Sequence, residues 1–193
     1  DSGHTNASDG FRSMRVNRSR AGQPTHMAIA LDTSRHSFRS DGYPEYKATR
    51  SETPQEFRGQ IPLLQDCRAA MSIPVLTKEG SGADDILATL SSQGAEQGYQ
   101  VLVVSGDRDT IQLVNDDVTL LYPSVQGVSQ LKRYDPLTVQ ERYGVRPEQY
   151  PDIAALVGET SDNLPGVHKG GEKTAVKWRT QFGSIEERLA RAE

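Results

Sequence analysis

Val101-Leu102-Val103-Val104-Ser105-Gly106-Asp107-Arg108-Asp109 reads as a buried β-strand that runs into a tight turn bearing two carboxylates. An unbroken apolar run of this length, bounded by Ser and Gly, suits a strand covered on both faces. A second run, Met27-Ala28-Ile29-Ala30-Leu31, ends in the same way at Asp32. Both acidic positions therefore fall at the carboxyl end of a strand, the edge at which open α/β sheets place their ligand sites.

Working outward, strand patterns at 26–32, 73–77, 101–105 and 118–122 alternate with helical patterns at about 55–71 and 85–97. Such alternation predicts an α/β fold, a mostly parallel sheet with right-handed crossovers and flanking helices. After Tyr122 the pattern changes to short helices over 136–143, 147–157, 172–182 and 184–191, joined by Pro and Gly turns. The organisation expected is a core over residues 1–130 and a helical subdomain over 131–193. The first 25 residues are polar, and a helix over Phe11–Val16 is interrupted on its apolar face by Arg15, Arg18 and Arg20. Between Thr33 and Thr53 lies a long segment without periodicity, of the kind that is functional or disordered in compact domains.

With 193 residues the chain is long enough for a sizeable core. It shows no membrane-length apolar run and no secretory leader. Its single cysteine, Cys67, reads as a structural thiol in a reducing compartment. The net charge of −4 is unevenly placed: residues 61–130 carry three Lys/Arg against nine Asp/Glu, while the flanking segments are near balance. Metals that neutralise a carboxylate cluster, with Lys and Arg holding phosphates on either side, fit this distribution. Ordinary surface charge fits it too.

Gly82-Ala83-Asp84-Asp85 precedes Ile86-Leu87-Ala88-Thr89-Leu90, so both aspartates stand at a helix start, where they favour the positive end of the helix dipole. Capping explains one of that pair, or both, and one of Asp107 and Asp109. Two acidic pairs plus Asp32 exceed what capping requires. All-oxygen donors select hard divalent cations, Mg²⁺ or Mn²⁺. Two such ions about 4 Å apart activate water and stabilise the leaving oxygen of a phosphodiester.

The turn Asn163-Leu164-Pro165-Gly166-Val167-His168-Lys169-Gly170-Gly171 runs into the helix that begins at Glu172-Lys173-Thr174-Ala175. It presents backbone N–H groups and Lys169, Lys173 and Lys177 to a phosphate, or is a plain connection between helices. His168 reads as an exposed turn residue, and Trp178 as packed. In the long segment, Arg35, Arg39, Lys47 and Arg50 interleave with Phe38, Tyr43 and Tyr46, a composition that suits single-stranded nucleic acid as well as solvated loop charge.

Taken together, Ala30-Leu31-Asp32, Tyr43-Pro44-Glu45-Tyr46-Lys47-Ala48-Thr49-Arg50, Ala83-Asp84-Asp85, Ser105-Gly106-Asp107-Arg108-Asp109 and Gly158-Glu159-Thr160-Ser161-Asp162-Asn163-Leu164-Pro165-Gly166 resemble the 5′-3′ exonuclease domains of the flap endonuclease family, which have a PIN-like fold. The resemblance covers nearly the whole chain in order. It implies a metal-dependent 5′-3′ exonuclease and flap endonuclease acting on DNA flaps, nicks and 5′ ends in replication and repair. It further implies a covalently linked polymerase domain and a cytoplasmic, nucleoid-associated bacterial location. Asp84, Asp85 and Asp107 would form one metal cluster, with Asp109 and Asp162 on its other side and Asp32 an inner or water-mediated ligand. Lys47 and Arg50 would stand in the arch beside the scissile phosphate as catalytic cations. Arg35, Arg39, Tyr46, Gly166, Lys169, Gly171, Lys173, Thr174 and Lys177 would contact DNA, the later ones within a helix-three-turn-helix element that is also a candidate site for K⁺.

The chain departs from the family pattern in four places. No segment before Met27 matches the family's first strand with its metal-binding aspartate, and the region that follows that strand bears Arg15, Arg18 and Arg20. Gly82 replaces an acidic residue, and Lys169-Gly170 replaces glycine followed by an aliphatic residue. Reduced ligand charge predicts weaker Mg²⁺ binding and 5′-flap cleavage that is weak or absent. Two other readings are a DNA-binding remnant without cleavage and a small-molecule phosphohydrolase using Asp32 as nucleophile. Ser34 in place of a second aspartate disfavours the latter.

Overall fold

The computed structural model describes residues 24–33, 37–49, 73–124 and 127–191. The helices expected at Phe11–Val16 and 55–71, with Cys67, Arg35 and Arg50, lie outside the described residues.

Strand β1 (Ile29–Ala30) pairs in parallel with β2 (Val75–Leu76). Helix α1 (Phe38–Gly42) lies in the long segment between them, and α2 (Ala83–Glu96) follows β2. Strand β3 (Val101–Val104) pairs in parallel with β4 (Val118–Ser124), with Val101 opposite Val118 and Val104 opposite Leu121. A 3-10 turn over Arg108–Leu113 connects them and drives Ile111 into the core, where it is fully buried. The fold class is therefore α/β with parallel pairing, as the sequence pattern requires.

One element departs from the expected division at residue 130. Strand β5 (Gly127–Tyr134) returns antiparallel to β4, placing Tyr134 opposite Leu120. Its composition alternates poorly, and the pairing is fixed by cross-strand contact instead of by pattern. The helical part begins at α3 (Pro136–Tyr143), whose start and stop are written locally. Asp135 accepts the Thr138 N–H at 2.8 Å, Pro136 occupies the first turn, and Gly144 ends the helix at φ 73°. A short 3-10 turn leads into α4 (Tyr150–Val157), followed by the small antiparallel pair β6 (Gly158–Glu159) and β7 (Leu164–Pro165). Helices α5 (Glu172–Phe182) and α6 (Ile185–Leu189) close the described chain. No helix among the described residues is long and apolar enough to cross a membrane.

Among the described residues, two apolar clusters hold these parts. Val103, Ile111, Val118, Leu120, Tyr134 and Val139 form the first, between the β3-β4-β5 sheet and α3. Val145, Ile153, Leu156 and Ala175 form the second, between α4 and α5, with Trp178 packed against it. Tyr122, Tyr134, Tyr143 and Tyr150 link the clusters through successive ring contacts with centroids 6.2, 6.2 and 5.2 Å apart. An ion pair at 2.5 Å between Arg179 and Asp152 ties α5 to α4.

The turn between β7 and α5 explains both unusual residues in it. Lys169 adopts φ 61°, in the left-handed region where glycine is favoured. Its neighbour Gly170 is buried, and a Cβ there would lie 2.8 Å from the Val167 carbonyl and 3.0 Å from that of Leu156. An aliphatic residue therefore does not fit at 170 in this chain. Relieving the strain at 169 gives the first expected result: Lys169→Gly should raise stability by about 0.5 to 1 kcal/mol, net of glycine's backbone entropy. A urea midpoint that does not move, or falls, would contradict it.

Candidate metal centre

Four segments deliver carboxylates to one region. The end of β1 carries Asp32, the first turn of α2 carries Asp84 and Asp85, the turn after β3 carries Asp107 and Asp109, and the 3-10 turn Thr160–Asp162 carries Asp162. Parallel pairing of β1 with β2 sets the end of β1 beside the end of the strand that leads into α2, and the charges of Asp32 and Asp107 are both felt at Asp84 in the first turn of that helix.

Some of these acids also serve the backbone. Asp32 Oδ1 accepts the Ala83 N–H at 2.5 Å, so an aspartate from a different strand caps α2. Asp107 Oδ1 accepts the Asp109 N–H at 3.0 Å and caps its own turn. Asp85 accepts the Gly82 N–H at 2.8 Å and both Arg39 guanidinium nitrogens, at 2.8 and 3.0 Å. Arg39 holds the Asp85 carboxyl below the ordinary carboxylate range.

Asp84 and Asp109 behave oppositely. Burial, then repulsion from Asp107, pushes Asp84 up. Burial and the charges of Asp107, Asp162, Glu159 and Asp84 push Asp109 up to about 6. Negative charge thus runs from Asp32 through Asp84, Asp107 and Asp109 to Asp162 and Glu159. Asp162 is buried, and Lys47 Nζ stands 3.7 Å from its Oδ2. Among the described residues no three acidic, His or Cys side chains close around a common point at ligand spacing. The acids face one another at a separation at which repulsion is felt. An oxygen-only donor set that is mutually repelled and partly buried is chemically suited to a hard divalent cation.

Lys47 reaches this region with strained backbone, at φ 57°, a conformation uncommon outside glycine and enriched where function imposes it. Its N–H donates to the Asp162 carbonyl at 2.9 Å, and Nζ also lies 4.8 Å from the centroid of the Tyr46 ring. Asn163, at φ 58°, donates from Nδ2 to the Glu45 carbonyl at 2.8 Å. The segment holding Tyr46 and Lys47 is therefore seated on the turn that carries Asp162.

The glycine-rich turn follows β7, which pairs with the strand that carries Glu159. Gly166, Lys169, Gly171, Lys173 and Lys177 are exposed, Thr174 is half-buried, and His168 is an exposed turn residue. Glu159 was not anticipated as part of the site. It precedes Asp162 by three residues into a 3-10 turn, a spacing that brings side chains to one side, so the signal was present within Gly158–Gly166.

The raised acids set the pH response of the metal-free chain. The folded carboxyl of Asp109, at about 6, binds its proton more tightly than an unfolded aspartate near 3.9. The folded state then holds more protons between those values, so stability falls as pH rises from about 4 to about 6. Asp84 acts in the same direction. The lowered Asp85 acts only below about 4, where protonation removes its contribution. The melting temperature of the metal-free chain should be higher at pH 5 than at pH 7.5, and Asp109→Asn should flatten that slope. An unchanged slope in the variant would show that Asp109 is not the titrating group.

The 5′-3′ exonuclease N-terminal resolvase-like domain matches residues 1–144, and the 5′-3′ exonuclease C-terminal SAM fold matches residues 145–193. DNA polymerase I of Mycobacterium bovis is 55% identical over 181 residues, 94% of this chain and 20% of that protein. DNA polymerase I of Bacillus caldotenax is 43% identical over 187 residues, 97% of this chain and 21% of that protein. The chain thus spans about a fifth of the length of these relatives. Among solved structures, T5 5′-exonuclease with bound zinc ions has the same fold, with a TM-score of 0.74 at 24% identity over 96% of this chain and 70% of that one. The catalytic core of Rad2 in complex with DNA substrate aligns with a TM-score of 0.59 at 12% identity, over 96% of this chain and 55% of that one. The chain belongs to the 5′-3′ exonuclease family, with a resolvase-like nuclease domain followed by a SAM-like helical domain.

Proposed function

We propose that this chain hydrolyses phosphodiester bonds at 5′ flaps, nicks and 5′ ends of DNA, using two Mg²⁺ or Mn²⁺ ions held by the acidic cluster. The observation that carries this reading is the convergence of Asp84, Asp107, Asp109, Glu159 and Asp162, with Lys47 at their edge. Asp84 and Asp107 would hold one side, Asp109, Glu159 and Asp162 the other, and Asp32 would act through water. When bound, such ions supply a water of lowered pKa and stabilise developing charge. Lys47 places an ammonium beside the cluster, where it would pair with the scissile phosphate, and Arg50 is assigned the same role. Tyr46, next to Lys47, offers a ring for an unpaired base, with Arg35 as a backbone contact, whereas both Nη atoms of Arg39 are already bound to Asp85.

In this reading the turn holding Gly166, Lys169 and Gly171, with Lys173, Thr174 and Lys177 at the start of α5, grips duplex phosphates through N–H groups and cations. A K⁺ ion coordinated by carbonyls of that turn belongs to the same reading. The division of labour is a nuclease core and a DNA-gripping subdomain, with the boundary proposed after Gly144, since β5 carries the sheet past residue 130 and Val139 of α3 packs in the core of that sheet. A bacterial cytoplasmic location at the nucleoid, and a polymerase domain in the same polypeptide as in the DNA polymerase I relatives, complete the proposal.

A flap-cleavage assay in Mg²⁺ and in Mn²⁺, with a chelator control, tests it: no cleavage under any metal condition would overturn it. A second reading, binding of structured DNA without cleavage, is favoured by Gly82, which leaves that position without a carboxylate. Retained branched-DNA binding with no cleavage would select it. For the grip itself, Lys173→Ala with Lys177→Ala should reduce the slope of log affinity against log salt by about one to two. An unchanged slope would remove α5 from the DNA surface.

A further inference from the structure

Asp85 is engaged differently from every other acid in the cluster. Its Oδ1 accepts from Arg39 Nη2 at 2.8 Å, and its Oδ2 accepts from Arg39 Nη1 at 3.0 Å and from the Gly82 N–H at 2.8 Å. Three of the roughly four acceptor positions of a carboxylate are thereby filled by fixed donors. Asp84 precedes it on the same helical turn, and consecutive residues of an α-helix project about 100° apart, so the two side chains serve different directions. Asp84 faces Asp107, and Asp85 faces the long segment.

The partner of Asp85 sits at one foot of a strap. The Phe38 N–H donates to the Gly80 carbonyl at 3.2 Å, and Arg39 clamps Asp85, fixing α1 beside the start of α2. At the other foot, Lys47 N–H bonds the Asp162 carbonyl and Asn163 Nδ2 bonds the Glu45 carbonyl. The described strap, residues 37–49, therefore joins the helix carrying Asp84 to the turn carrying Asp162.

We infer that Asp85 is not a metal ligand but a positioning residue: with Arg39 it anchors the strap that holds Tyr46 and Lys47 at the edge of the metal cluster. This rests on the metal reading of the remaining acids. A planar guanidinium matched to both oxygens of one carboxylate is the geometry of an anchor, since it fixes orientation as well as distance. Breaking it would loosen the strap without removing a metal donor.

The experiment uses the full chain and two readouts. In the metal-free state, cleavage of the Tyr46-Lys47 bond by a protease specific for aromatic residues should accelerate roughly threefold to fivefold in Arg39→Gln and equally in Asp85→Asn. The double variant should be no faster than either single change, and Arg39→Lys should recover only part of the protection because it lacks the fork. Mn²⁺ affinity, read by electron paramagnetic resonance, should stay within about threefold of the parent in the double variant, whose net charge is unchanged. Asp109→Asn should lose at least roughly tenfold. Additive acceleration by the two single changes, or a loss of Mn²⁺ affinity in the double variant equal to that of Asp109→Asn, would overturn the assignment. If Asp109→Asn also kept its Mn²⁺, the metal reading would fail, and the strap would still be decided by the metal-free protease rates.

Discussion

Asp109→Asn is expected to lower 5′-flap cleavage by about a thousandfold in Mg²⁺. The carboxylate is the most strongly raised acid of the cluster, because burial and four neighbouring acids act on it together. Burial first and neighbouring negative charge second disfavour the free carboxylate there, and a divalent cation would offset both. A metal ion contributes several kcal/mol of charge stabilisation in such reactions, and each 1.4 kcal/mol or so is tenfold in rate. Asparagine preserves shape, so the loss should appear in cleavage while the fold remains, and the metal-free protein should be stabilised near neutral pH by relief of repulsion. Cleavage rates with excess substrate and a thermal melt of the same preparation check both halves. A variant that cleaves within about tenfold of the parent would remove Asp109 from the metal centre.

Gly166→Ala is expected to unfold the β6-β7 turn and abolish branched-duplex binding. A Cβ at Gly166 would fall on the Val157 carbonyl and 2.8 Å from the Gly158 nitrogen. Gly158 itself sits at φ 80°, and its own Cβ position meets Gly166 and, at 2.7 Å, the Leu164 carbonyl. Backbone pressed against backbone cannot yield as a flexible side chain would. The cost should reach about 3 kcal/mol or more, the range of severe single substitutions. Gly42→Ala, which meets nothing within 4 Å, serves as the control and should leave the unfolding midpoint nearly unchanged. A Gly166→Ala protein as stable as that control would show that the close approach is not required.

The structure also separates roles that the acidic motif treats as one. Asp84 and Asp85 are adjacent and chemically identical, yet burial and Asp107 push one up while Arg39 holds the other down. Asp32 reads as a metal-type carboxylate at a strand end, and its Oδ1 accepts the Ala83 N–H of a helix that begins 51 residues later. Neither distinction is present in the identity of the residues.

The amino-acid sequence alone determined the features whose causes are local. The parallel strands at 101–104 and 118–124, the helix starting at Ala83, and the Asp135-Pro136 start and Gly144 stop of α3 follow from apolar runs, capping and glycine placement. Tertiary structure decided the rest, because the cause there is contact between residues distant in the chain. Strand β5 exists through its register with β4, and Glu159 joins the cluster because its turn is carried up against Asp109. Arg39 finds Asp85 across 46 positions, a separation at which no periodicity operates and only packing of α1 against the start of α2 selects the pair.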